Sequence, residues 1–301
     1  GLQKAVSSAG YFRHAEVQPR REEAVDRRVP VYVNLEPYPP NHYTAGAGYG
    51  TDTGFRARAG WLRRWVNKRG HRFNLDLFVS QIGNDQTARY TIPLQYFKSE
   101  TVTVTASRSR VNVRDQDSTL LRLGISHSQV RGSWREVLGL DYRQEDFRVG
   151  KQVGRSTLLM PNVNWVRTKA NNRIFVTHGS RISLALRGAT DAIISNTSFI
   201  QGEVEGKLIR RPFGRSRIIT RATFGSSVVA KFDQLPATVR YYAGGDQSVR
   251  GYAYNSISPV DENGDEVGGR HKIVASLEYE YPIVNKWSAA VFMDAGDAFN
   301  Q

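Results

Sequence analysis

Long runs of strict apolar/polar alternation constrain this chain more than any other feature. In "FNLDLFV", Phe73, Leu75, Leu77 and Val79 fall on one face, Asn74 and Asp76 on the other. "LLRLGIS" sets Leu121, Leu123 and Ile125 against Arg122, Gly124 and Ser126, and "RISLALRG" sets Ile182, Leu184 and Leu186 against Ser183, Ala185 and Arg187. A period of two belongs to an extended strand, here with one dry face and one wet face that carries charge. The alternation predicts strands at 43–50, 54–66, 70–81, 86–93, 101–113, 118–130, 134–149, 156–169, 172–188, 194–210, 214–230, 270–282 and 286–296. Many exceed the roughly 5–6 residues usual in globular sheets, and turns such as "NKRG" (67–70) and "KANN" (169–172) join them. Long strands with tight turns predict an all-β fold, a transmembrane antiparallel β-barrel. A soluble sandwich or propeller would show shorter strands and a less charged second face.

Composition narrows the function classes. No apolar run approaches the roughly 20 residues of a transmembrane helix, which excludes helical membrane proteins and leaves barrels untouched. The chain has no cysteine, so disulfides, zinc–cysteine clusters and thiol nucleophiles are out. G-x-S-x-G, H-E-x-x-H and Walker A sequences do not occur, and the six histidines lack metal spacing. No catalytic residue, metal site or cofactor is therefore expected. "DENGDE" (261–266) spaces Asp261, Asn263 and Asp265 like a calcium loop, but Glu266 stands where glycine is needed and Lys272 where glutamate is needed. It reads as a solvated polar turn.

Net charge is +14, with six Lys/Arg and five Asp/Glu in residues 1–40, so the excess lies in the main body. A basic body suggests anionic partners, phospholipid headgroups or lipopolysaccharide phosphates. The clusters "RRWVNKRGHR" (63–72) and "RRPFGRSR" (210–217) each surround a turn and read as headgroup anchors. Neither belongs to a nucleic-acid-binding module, and no nucleic-acid partner is expected.

Residues 1–40 differ from the rest. "LQKAVSSAG" has a short helical pattern that stops at Gly10, "FRHAEVQ" and "VPVYVNLEP" read as two strands around a charged loop, and Pro37, Pro39 and Pro40 stiffen the exit. The expected organisation is a small α/β remnant over 1–40, then a barrel over 41–301 with one long connection at 231–269. Both ends look cut. "AGAGYG" puts Gly46, Gly48 and Gly50 on one face of the first barrel strand. This reads either as a kink for curvature or as a weakly held strand able to part from its neighbour.

Three stretches, "YYAGGDQSVRGY", "VASLEYEYP" and "AVFMDAGDAF", resemble the BamA/TamA outer-membrane assembly superfamily, whose barrels have sixteen strands preceded by periplasmic POTRA modules. The likeness is greatest to the TamA-like (translocation and assembly module) branch. "NHYTAGAGYGTDTGFRARAGW" is similar to its first hairpin, and "SAGYFRHAEV" with "VPVYVNLEP" looks like the end of a last POTRA module. The resemblance implies that about 13 of 16 strands are present, with three beyond Gln301. It implies an outer-membrane barrel with the 1–40 part in the periplasm. It also implies a job in inserting or secreting autotransporter-type proteins through a lateral seam at the first strand. Client outer-membrane proteins, outer-membrane lipids and a TamB-like inner-membrane-anchored protein are the implied partners.

The resemblance further implies that the 231–269 loop folds into the lumen and that Arg250 contacts Glu278 and Asp294 on the wall. The motif around it is Gly244, Gly245, Val249, Arg250, Gly251 and Tyr252. Strand parity is compatible: Phe292 and Asp294 share one face opposite Trp287, Ala289, Val291 and Met293, and Glu278 and Glu280 share one face opposite Ile273, Leu277 and Tyr279. Phe292 then offers its ring to the guanidinium. Two alternatives stay open: a two-partner-type secretion pore for one dedicated substrate, and the membrane anchor of an upstream passenger enzyme.

Overall fold

The computed structural model describes residues 3, 6, 10–95, 100–172, 174–284 and 287–301. The helical reading of the first ten residues falls largely outside these. β1 (Phe12–Pro19) and β2 (Val31–Pro37) form a two-stranded antiparallel hairpin. A single 13-stranded antiparallel meander follows. It runs through β3 (Asn41–Gly50), β4 (Gly54–Arg63), β5 (Arg72–Ser80), β6 (Gly83–Gln95), β7 (Glu100–Val113), β8 (Gln116–Arg131) and β9 (Trp134–Val149). It continues through β10 (Gln152–Ala170), β11 (Gly179–Ala189), β12 (Phe199–Arg210), β13 (Arg217–Val229), β14 (His271–Val284) and β15 (Trp287–Phe299). β3 and β15 are its edges, and no ladder joins them among the described residues.

Two contacts show that the sheet curls. The backbone N of Asp246 donates to Asp52 Oδ2 in the β3–β4 turn at 3.1 Å, and the backbone N of Arg250 donates to Asp294 Oδ2 on β15 at 3.0 Å. In a flat sheet those wall positions would lie about 50 Å apart at ~4.8 Å per strand. The segment from 246 to 250 can span at most ~14 Å. The sheet therefore bends round the 230–270 connection and brings its two ends near each other.

The alternation sets the two faces. Leu121, Leu123, Ile125, Ile200, Val204, Leu208, Ile273, Leu277, Val291 and Met293 are exposed on the outside. This apolar exterior is what a lipid-facing wall presents. The inner face carries Arg58, Asp76, Arg89, Arg122, Asp141, Glu203, Lys272 and Glu278, several of them paired, as in Asp76 between Arg58 (3.0 Å) and Arg89 (2.8 Å). The buried apolar residues gather where the long connection meets this inner face. Leu235 and Val239 sit among Leu158, Met160, Phe199 and Val229; Ala237 sits on Phe147 and Val149; Ala243 and Val249 sit on Val274. The core is thus a plug against a wall rather than a sandwich of two sheets.

Strand boundaries differ from expectation in a few places, each with a local cause. The expected turn at 169–172 is an eight-residue connection, 171–178, and β11 starts at Gly179 rather than 172. Asn171 Oδ1 accepts from the backbone N of Thr177 and His178 at 3.1 Å, and Asn172 Oδ1 accepts from Ile174 N at 2.8 Å. Side-chain amides here replace ladder bonds. Residues 190–198 form a similar loop before β12, with Ser198 Oγ donating to Asp191 Oδ1 at 2.6 Å. β6 begins at Gly83 and β10 at Gln152, because Asn84 and Asp85 and the residues 152–155 pair in register despite their turn-like composition.

Candidate functional site

The connection between β13 and β14 holds the wall at four places. The first is its middle. Thr238 donates from its backbone N to Glu145 Oε1 at 3.1 Å and from its hydroxyl to Glu145 Oε2, while accepting from Arg143 Nη2 at 2.7 Å. Gln201, 2% exposed, donates to Ser227 Oγ at 2.7 Å and to Val239 O at 2.9 Å. Arg240 is buried and spends its donors on Leu235 O, Val267 O, Asp233 O and Gln152 Oε1. Burial pushes this guanidinium below its ordinary value.

The second place is the tip. Arg114 of the β7–β8 turn pairs with Glu266 at 2.8 Å, and Lys151 of the β9–β10 turn donates to Asn263 Oδ1 at 2.6 Å. Burial beside Asp115 pushes the Glu266 carboxyl up. "DENGDE" is a turn closed on itself: Asp261 Oδ1 accepts from Asn263 N at 2.8 Å and Asp265 N at 3.1 Å. The third is the Asp246–Asp52 contact described above.

The fourth place is Arg250. Its Nε donates to Asp294 Oδ2 at 2.7 Å and its Nη2 to Asp294 Oδ1 at 2.8 Å, a two-pronged grip. Nη1 donates to Glu278 Oε2 at 2.6 Å, and Nη2 also reaches Ser276 Oγ at 3.1 Å. The guanidinium carbon lies 3.6 Å from the Phe292 ring centroid. The β14–β15 register explains the convergence: Ser276 faces Asp294 and Glu278 faces Phe292 directly across the ladder. Four inward side chains therefore form one square. The Asp294 side chain is 2% exposed and that of Arg250 17%. A lysine could not reproduce this planar set of donors.

The remaining motif residues divide. Val249 is buried against Ala243 and Val274. Gly244 has φ +99°, and a Cβ there would lie 2.5 Å from Ala253 O, so both conformation and space exclude a side chain. Gly245 sits beside Asp52. Gly251 needs its φ of +89° but has open space around it, so close wall approach is not its reason. Tyr252 does not join the square: it is exposed, and its carbonyl accepts from Gly245 N at 3.1 Å.

The three first-strand glycines face inward on the edge strand. Gly46 pairs with Arg58 and Gly48 with Arg56 across an unbroken ladder from Asn41 to Gly50. The register has no bulge over this stretch. A Cβ at Gly46 would meet nothing within 4 Å, and one at Gly50 would come within 2.6 Å of Thr53 Oγ1.

Ser276, Thr238, Glu145, Arg143 and Asp52 were not singled out from sequence. Parity alone would have flagged Ser276, which shares the face of Glu278. Thr238 and Glu145 gave no local signal, because their meeting depends on a 93-residue separation.

A family profile described as the Omp85 superfamily domain matches residues 40–301. The chain belongs to the Omp85 superfamily. Among curated relatives, it is 30% identical over 156 residues to the mouse (Mus musculus) sorting and assembly machinery component 50 homolog, covering 50% of this chain and 32% of that protein. It is 23% identical over 285 residues to outer membrane protein assembly factor BamA of Nitratidesulfovibrio vulgaris, covering 89% and 35%. The chain thus spans about a third of the length of these relatives. In fold, this Omp85 domain is similar to the crystal structure of BamA from Haemophilus ducreyi lacking POTRA domains 1–3 (TM-score 0.83, 18% identity, 99% of this chain and 65% of that one). It is also similar to CdiB from Escherichia coli (TM-score 0.59, 16% identity, 94% and 56%).

Proposed function

We propose that the chain is the barrel part of a TamA-like factor that helps insert or secrete autotransporter-type proteins in the bacterial outer membrane. On this reading residues 1–40 end a periplasmic POTRA module, a TamB-like protein is the inner-membrane partner, and no chemical step is catalysed. The observation that carries the proposal is the plug fixed to the inner wall by Arg250, in a barrel whose first strand carries a glycine row. β3, the first strand of the sheet, has exposed Tyr43 and Tyr49 and lacks inward side chains at Gly46 and Gly48. On this reading a client strand adds to β3 through backbone hydrogen bonds where the barrel opens at that strand. Close by, the Asp246–Asp52 contact and the Arg250 square hold the plug to the wall at the β3–β4 turn and at β15. The basic connections at 64–71 and 211–216 lie at the end of the barrel that adjoins the β1–β2 hairpin, where anionic headgroups would meet them.

The test is depletion of the protein followed by outer-membrane proteomics. Loss of autotransporters with other barrels retained supports the TamA-like assignment. A general loss of barrel proteins points to a BamA-like role, and loss of one secreted substrate alone points to a dedicated pore. Normal autotransporter levels contradict the proposal.

A further inference from the structure

The inner wall carries a second feature that the plug contacts do not exhaust. A cavity of about 510 Å³ opens over β6–β11, lined by Arg89, Arg122, Arg143 and Arg187 against Asp85 and Asp141. Arg122 and Arg143 face each other directly across the β8–β9 ladder, a pairing of like charges that repels. Asp141 relieves only one of them: Arg122 Nε donates to its Oδ1 at 3.0 Å, and Asn162 Nδ2 occupies Oδ2 at 3.0 Å. The backbone makes room for this arrangement. Gly124 lies opposite Asp141, where a Cβ would collide with the carboxylate, and Gly139 lies opposite Asn162, where a Cβ would come within 2.6 Å of Oδ1.

Arg143 is left short. It is 8% exposed, its Nη2 has only the neutral Thr238 hydroxyl, and its Nε is buried without a partner. Glu145, next on the same face, is engaged by Ser118 and Thr238. Arg187 donates from Nε to the Gln201 amide oxygen. Among the described residues neither Arg143 nor Arg187 has a carboxylate within ion-pair distance. Glu145 reaches Arg143 only through the Thr238 hydroxyl; a desolvated guanidinium without a directly bonded carboxylate is costly, and an oxyanion offsets that cost.

We propose that this cavity binds a phosphate-bearing polar molecule, with Arg143 and Arg187 gripping the phosphoryl oxygens. Planar guanidinium forks match phosphate oxygens in pairs. The Thr105, Ser107 and Ser109 hydroxyls and the Asn164 amide, which also line the cavity, suit a hydroxylated body such as glycerol attached to that phosphate. The same chemistry could arrive as a free glycerol or sugar phosphate or as a lipid headgroup.

The test is calorimetric titration of the intact protein in zwitterionic detergent at constant ionic strength. The ligands are inorganic phosphate, glycerol 3-phosphate, glycerol and a short-chain phosphatidic acid. Saturable one-to-one binding of glycerol 3-phosphate but not glycerol is expected, with tighter binding of the phosphatidic acid if the source is lipid. Arg143→Met and Arg187→Met should each weaken binding at least tenfold. Arg143 touches the plug directly and Arg187 only through Gln201, so Arg187→Met is the decisive variant; Gln201→Leu, which loosens the plug without removing a guanidinium, should leave phosphate affinity within twofold. Absence of saturable phosphate binding, unchanged affinity in Arg187→Met, or binding of acetate in preference to phosphate would overturn the proposal.

Discussion

The first strand of the sheet and the strand that meets the plug are built in opposite ways. At β15 the wall is committed: Asp294 is almost fully buried and receives three donors from Arg250, while Ser276, Glu278 and Phe292 complete the square. At β3 the wall is bare. Its inner row ends in Gly46, Gly48 and Gly50, and its outer tyrosines are exposed. The plug fixes β14 and β15 through charge-assisted bonds in a partly dry lumen, whereas on β3 the glycine row gives the plug no side chain to hold.

Breaking the held end should have the largest effect. Arg250→Ala strands the buried Asp294 and the half-buried Glu278. Loss of one partner of a buried pair costs roughly 3–5 kcal/mol, and the wet side of the lumen brings this toward the lower figure. The expected readout is a lower urea midpoint of the folded, heat-modifiable gel band together with protease cleavage within 244–256. Arg250→Lys should recover less than half of that loss, since it cannot grip both Asp294 oxygens. An unchanged midpoint and an intact loop in Arg250→Ala would remove the square from the account.

The middle anchor should matter less. Thr238→Val removes a donor and an acceptor between Glu145 and Arg143, and about 1–3 kcal/mol is expected from leaving those buried groups unmatched. Hydrogen exchange at residues 235–241 should accelerate while β3 amides stay as they were. A smaller effect again is expected at Asp52→Ala, about 1 kcal/mol or less from one hydrogen bond, visible as faster exchange of the Asp246 amide. At β3 the sign should reverse. Gly46→Val places a β-branched side chain where nothing stands within 4 Å, so β3 should gain up to about 1 kcal/mol. That gain, combined with slower client assembly in cells, would sharpen the contrast between the two strands. Destabilisation by Gly46→Val would blur it.

Much of this was legible in the residues. Alternation located the strands because a period of two admits no other regular structure, and it gave the inward face of β14 and β15 once Asp294 was set inward. What escaped had physical reasons. Ile174, Phe175, Ile193 and Ile194 look like strand continuations but are exposed in loops held by asparagine and serine side chains. Asn84 and Asp85 look like turn residues but sit in a ladder whose inner face is polar. Leu235 and Val239 read as ordinary loop residues, and only the tertiary fold shows them as the plug's apolar foot. Tyr252 belongs to the sequence motif but not to the square, because adjacent residues in a turn need not point the same way.

The most direct test of the central claim uses the chain's lack of cysteine. Single cysteines placed by Tyr43→Cys, Ala45→Cys and Ala47→Cys can be cross-linked in turn to single cysteines along the terminal strand of an autotransporter client stalled during assembly. Cross-links should repeat every second client residue, as a strand-to-strand ladder requires, and should be lost when Arg250→Ala frees the plug. No cross-link at β3, or a ladder that persists at full strength in Arg250→Ala, would contradict that claim.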